Sequence, residues 1–76
     1  MFEKIDAVPV YRLVFDSIER QILSGQLRAG DLLPTETKLA EQFGVNRSSV
    51  REGIRLLEQS GFVDRKNGKR LLVTIP

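Results

Sequence analysis

The stretch FGVNRSSVRE, residues 43–52, closes one helix and opens another. Gly44 follows an apolar-periodic segment, and a left-handed helix cap is cheap only for glycine. Asn46 is a strong N-cap, because its side-chain oxygen can take up a backbone N–H left free in the first helical turn. Only Val45 and Asn46 separate Gly44 from the helix that starts at Arg47. A connection that short makes two helices cross steeply rather than lie antiparallel. The chain is therefore organised around a helix-turn-helix.

Upstream, Thr35 caps a helix over 36–43 whose apolar face is Leu39, Ala40 and Phe43. Glu36 sits in its first turn, where a carboxylate is favoured. Ala40 is small, as a close helix crossing requires. Pro34 stops any regular element before this helix, and Ala29-Gly30-Asp31 marks a turn. Val10, Val14, Ile18 and Ile22, with Tyr11, Phe15 and Leu23 beside them, predict a first helix over 9–24. Pro9 suits its first turn. Residues 1–8 have no period and read as an arm. Downstream, the helix from Arg47 runs to Ser60 and stops at Gly61. In FVDRKNGKRLLVTIP, residues 62–76, Asn67-Gly68 lies between strand-like residues and predicts a two-residue hairpin turn. Lys66 then faces Lys69, and Arg65 faces Arg70. The fold class is mainly α with a small β-hairpin, an arm over 1–8 and one domain of three helices and a hairpin over 9–76.

At 76 residues the chain supports one compact core. No cysteine is present, so there is no disulfide or thiolate chemistry, which fits a reducing, cytoplasmic setting. Acidic residues Glu3, Asp6, Asp16 and Glu19 punctuate the first twenty, and no apolar run is long enough to cross a bilayer. Neither a leader nor a membrane span is expected. With no histidine either, the commonest general base and soft nucleophile are both missing. No carboxylate cluster has metal-ligand spacing, and no glycine-rich phosphate loop follows a strand. Ser48 and Ser49 have no activating partner nearby and read as polar residues of a first helical turn. Catalytic residues, metals and cofactors are not expected, and an enzyme is excluded as the working reading.

The charge is informative once divided. Residues 1–45 carry five basic and seven acidic side chains, whereas residues 46–76 carry seven basic and three acidic. That asymmetry points to a polyanionic partner for the C-terminal part. On a helical wheel from Arg47, Val50, Gly53, Ile54 and Leu57 form the buried face, and Arg47, Arg51 and Arg55 form a stripe along one flank. Exposed arginines ordinarily just keep a helix soluble, and their partners lie three or four residues away. Arg55 is bracketed by Glu52 and Glu58, so that reading covers it. Arg47 and Arg51 have no acid at those spacings. Both also sit near a helix start, where a cation works against the helix dipole. Free N–H groups, the hydroxyls of Ser48 and Ser49 and two uncompensated arginines make an anion site. Duplex DNA supplies both the anion and the shape, since its major groove admits one helix. Two successive basic pairs across the hairpin are unfavourable as structure and sensible beside phosphate. The alternative reading is that they blunt an exposed edge strand.

Over about Tyr11 to Val73 the sequence resembles the N-terminal winged helix-turn-helix domain of GntR-type bacterial transcription regulators. The motifs are I-L-S-G-Q-L-x-x-G-D-x-L-P-T-E, then L-A-x-x-F-G-V-N-R-x-x-V-R-E and L-E-Q-S-G-F-V. The first helix and arm look most like the FadR subgroup. The resemblance implies a third helix (47–60) in the major groove and a wing (62–74) at the minor groove of an operator. By matching position, Arg47 and Arg51 become the main DNA-contacting residues, with Asn46, Ser48 and Ser49 beside them. Thr35, Glu36 and Thr37 fall close to the DNA backbone, and Asn67, Gly68 and Lys69 at the wing tip. The family further implies a homodimeric, metabolite-responsive repressor whose small-molecule effector binds a C-terminal domain outside these residues. Three positions depart from the pattern. Thr37 replaces a common basic residue, Gly53 replaces the usual alanine, and Arg70-Leu71 replace the wing's second glycine and threonine. Two functions are thus carried, a sequence-specific DNA-binding module and a winged-helix module for protein–protein contact. A steep loss of binding with salt on DNA separates them.

Overall fold

A computed structural model describes residues 7–66 and 70–74. Its elements are α1 (Val10–Leu23), α2 (Glu36–Phe43), α3 (Arg47–Gln59), β1 (Val63–Lys66) and β2 (Arg70–Val73), the two strands forming an antiparallel hairpin. Helix boundaries fall where the capping residues place them. The Thr35 Oγ1 accepts from the Lys38 N–H at 3.2 Å, and the Asn46 Oδ1 accepts from the Ser49 N–H at 2.8 Å. Gly44 adopts φ 69°, and its N–H donates back to the Ala40 carbonyl at 2.9 Å, closing α2. Pro9 is the N-cap of α1 rather than its first helical residue, and Ser60 is the C-cap of α3.

The core is one cluster, with α3 packed chiefly on α1 and the hairpin closing one end. Val14, Phe15, Ile18 and Ile22 meet Val50, Ile54 and Leu57, while Leu39 and Ala40 seal the α2 side. Phe62 brings the hairpin in through an edge-to-face contact with Phe15, ring centroids 6.4 Å apart. The predicted face of α1 extends too far at both ends. Val10, Tyr11 and Leu23 are 41%, 36% and 69% exposed. Periodicity identifies which side of a helix is apolar, but not how far along it a partner reaches.

The close approach in the molecule lies between α1 and α3, at Gly53. A Cβ there would stand 2.9 Å from the Tyr11 carbonyl oxygen and 3.0 Å from Val14 Cγ1. The departure from alanine at this position therefore has a steric cause. Ala40 is buried, as its small size anticipated.

The hairpin register differs from the expected one. Lys66 pairs with Arg70, Arg65 with Leu71, Asp64 with Leu72 and Val63 with Val73, so three residues rather than two separate the paired positions. Arg65 thus does not face Arg70, and one basic pair, Lys66 with Arg70, stands where two were expected. Packing explains the shift. Val63 and Val73 are both buried, and the two-residue register would have set Val63 opposite the half-buried Leu72. A one-residue slip turns one strand over, and the core selects against it. Residues 67–69, including the expected turn pair Asn67-Gly68, lie outside the described residues.

The segment before α2 also joins the hairpin, which the sequence reading did not anticipate. The Gly30 and Leu33 N–H groups donate to the Val73 and Leu71 carbonyls at 2.8 and 2.9 Å, and the Val73 N–H donates to the Asp31 carbonyl at 2.9 Å. The expected turn overlaps the start of this segment, with the Asp31 N–H donating to the Arg28 carbonyl at 2.9 Å and the Arg28 N–H to Asp31 Oδ2 at 2.9 Å. β2 is consequently hydrogen-bonded on both edges and fixed to the residues that lead into α2.

Candidate nucleic-acid interface

The start of α3 is held by its own side chains. Asn46 Oδ1 accepts both the Ser49 N–H and, at 2.7 Å, the Ser48 hydroxyl. Ser48 therefore spends its proton within the turn. Asn46, expected among the contact residues, is engaged as the cap that orients Arg47 and Ser48 outward.

The arginines along α3 have different surroundings. Arg47 is exposed and makes no ion pair or side-chain hydrogen bond among the described residues. Arg55 pairs with Glu52 at 3.0 Å, as its spacing predicts, but Glu58 turns instead to Arg65 of β1 at 3.8 Å. Arg51 departs from expectation: its Nε lies 3.4 Å from Glu36 Oε1 at the start of α2. The search along α3 alone missed this acid because it sits 15 residues away in sequence and arrives through the helix crossing. An exposed pair of this kind is worth about 0–1 kcal/mol.

Beside α3, the start of α2 and the hairpin enclose a cleft. It is lined by Pro34, Thr35, Glu36, Thr37, Arg47, Arg65, Arg70 and Leu71. The tertiary fold thus brings Thr35, Glu36, Thr37 and Arg47 together, while Asn46, Ser48, Ser49 and Arg51 lie along α3 outside it. Arg65 and Arg70 were noticed in the sequence only as cross-strand partners, not as site residues. The Arg70 Nη2 donates to the Leu33 carbonyl at 2.9 Å, which ties the hairpin to the segment before α2. A strand register drawn from the buried valines would have placed both arginines. Arg47, Arg65 and Arg70 bring positive charge to the N-terminus of α2, although the Glu36 carboxylate lies among them and Arg65 and Arg70 are already engaged by Glu58 and the Leu33 carbonyl. Asn67, Gly68 and Lys69 lie outside the described residues.

Comparison with known proteins identifies the family. The family described as "Bacterial regulatory proteins, gntR family" matches residues 10–73. The chain is 39% identical over 61 residues to the Glc operon transcriptional activator of Escherichia coli (strain K12), covering 80% of this chain and 24% of that protein. It is 33% identical over 73 residues to the HTH-type transcriptional repressor NagR of Bacillus subtilis (strain 168), covering 96% of this chain and 30% of that one. Among solved structures, the DNA-binding domain of AraR in complex with operator ORR3 superposes with a TM-score of 0.83 at 28% identity, covering 97% of this chain and 89% of that one. No helix among the described residues is long and apolar enough to cross a membrane.

Proposed function

The chain belongs to the GntR family of bacterial regulatory proteins, and from that membership we propose that it is a sequence-specific duplex-DNA-binding module, a winged helix-turn-helix over 9–76. Residues 47–60 enter the major groove, and residues 62–74 form a wing at the minor groove. The observation that carries this reading is the start of α3, where exposed Arg47 has no described intrachain partner and opens onto a cleft shared with Arg65 and Arg70. Arg47 and Arg51 make the principal contacts, with Ser48 and Ser49 supporting them and Asn46 holding their turn. Thr35, Glu36 and Thr37 lie along the DNA backbone, and Asn67, Gly68 and Lys69 are the wing's contacts with DNA.

The two curated relatives named above are several times longer than this chain, which spans 24% and 30% of their lengths. For the whole regulator we propose a cytoplasmic, homodimeric, metabolite-responsive repressor with its effector in a C-terminal domain. NagR, by its name, supports repression as the sign of control, whereas the Glc operon protein is an activator by its name. The spacing of the first helix and arm supports the FadR subgroup as the finer assignment.

The test uses a duplex selected by the protein from a randomised pool, alongside an unrelated duplex of the same length. Fluorescence anisotropy over a salt series should show preference for the selected duplex and a steep loss of affinity with salt. Arg47→Ala should reduce the magnitude of the log–log salt slope by about one. Equal affinity for both duplexes, or a flat salt dependence, would overturn the reading.

A further inference from the structure

We infer that Glu36 is a specificity-determining positioning residue, which orients Arg51 toward a guanine edge and leaves Arg47 to act on phosphate. The inference rests on the DNA-binding reading above and refines it. Arg51 Nε meets Glu36 Oε1, and neither of its terminal nitrogens has a hydrogen-bond partner among the described residues. A guanidinium held by Nε still presents its two Nη groups as a fork. The matching partner is a pair of adjacent acceptors, and in the major groove guanine N7 and O6 supply one.

The burial of the pair shows which partner is fixed. The Glu36 side chain is 21% exposed and that of Arg51 52%. The carboxylate is the better-held member, and the arginine is the one that extends. Glu36 also sits in the first turn of α2, anchored by the Thr35 cap. A carboxylate beside a polyanion is unfavourable unless it is neutralised, and here Arg51 neutralises it. As a direct backbone contact Glu36 would repel phosphate. As a holder of Arg51 it reduces the freedom the side chain must lose on binding. Arg47 stands about one turn earlier on the same helix and has no described holder. It therefore suits a phosphate, a contact that carries no base information and needs no fixed orientation of the fork.

The experiment compares the parent chain with Glu36→Ala, Glu36→Gln, Arg51→Ala and the double variant Glu36→Ala/Arg51→Ala. The probes are the duplex selected by the parent, single-base variants at each of its guanines, and an unrelated duplex. Arg51→Ala should abolish discrimination at one guanine. Glu36→Ala should lower discrimination at that same guanine by about five- to tenfold, while affinity for the unrelated duplex holds or rises. Glu36→Gln keeps an acceptor for Nε and should restore part of the discrimination. The double variant should match Arg51→Ala alone. If Arg51→Ala reduces discrimination but Glu36→Ala does not, or the two effects add, the positioning role is overturned and the DNA-binding reading stands. If Arg51→Ala itself leaves discrimination unchanged, Arg51 reads no guanine and the inference falls, while the salt series and the preference for the selected duplex still decide the DNA-binding reading. Circular dichroism of each variant confirms that the helices are retained.

Discussion

In the α2–α3 pair each boundary is set by a residue within a few positions of it, whereas in the hairpin the register is set by side chains that meet across the core. Thr35 and Asn46 accept N–H groups three residues ahead, and Gly44 closes α2 on Ala40. Those bonds each span only three or four residues. Among the described residues the hairpin shows no equivalent. Its pairing follows the burial of Val63, Leu71 and Val73, and its second strand is also hydrogen-bonded to the segment that leads into α2. Local rules therefore describe the helices well and misplace the hairpin by one residue. Both regions supply arginines to one surface, so its shape depends on the less local of the two.

The largest expected effect tests the hairpin side of that contrast. Leu71→Ala removes a side chain that is 5% exposed and faces the core from β2. It should cost about 2–4 kcal/mol in urea unfolding, with amide protection falling first in 63–66 and 70–73. If protection is lost instead from α2 and α3 while the hairpin remains, the hairpin is locally specified after all.

Gly53→Ala is the intermediate case and sets helix propensity against packing. Alanine should favour α3 by about 0.8–1 kcal/mol on propensity alone. The new Cβ, however, meets a backbone oxygen of α1 at 2.9 Å, which cannot rotate away. Overpacking costs about 1–3 kcal/mol, so the net change should be destabilising by about 1 kcal/mol. Thermal unfolding decides the sign, and a raised melting temperature would show that α1 and α3 separate easily.

The smallest effect on stability tests the locally specified region. Asn46→Ala removes the acceptor for Ser49 N–H and Ser48 Oγ. It should cost about 0.5–1 kcal/mol, confined to the first turn of α3. DNA affinity should nevertheless fall, because Arg47 and Ser48 lose their fixed origin. Asn46→Asp should recover both properties in part, since it keeps the oxygen. An equal loss of hairpin protection in Asn46→Ala would erase the distinction between the two regions.

By itself the sequence determined the helix-turn-helix: three helices with ends near those observed, the turn at Gly44–Asn46 and the buried face of α3. Each of these depends on a cap, a positive-φ glycine or an apolar period that acts over a few residues. The candidate site was legible to the same extent. Arg47 stood out because no acid lies within reach along its helix, and Arg55 was correctly paired with Glu52. Only the tertiary structure decided the remainder. Glu36 reaches Arg51 because two helices cross, and Arg65 and Arg70 line the cleft because the buried valines align the strands. Gly53 is required because α1 lies against it. A period in the sequence specifies the direction in which a side chain points, but its partner comes from another element, and that distance is set only when the core closes.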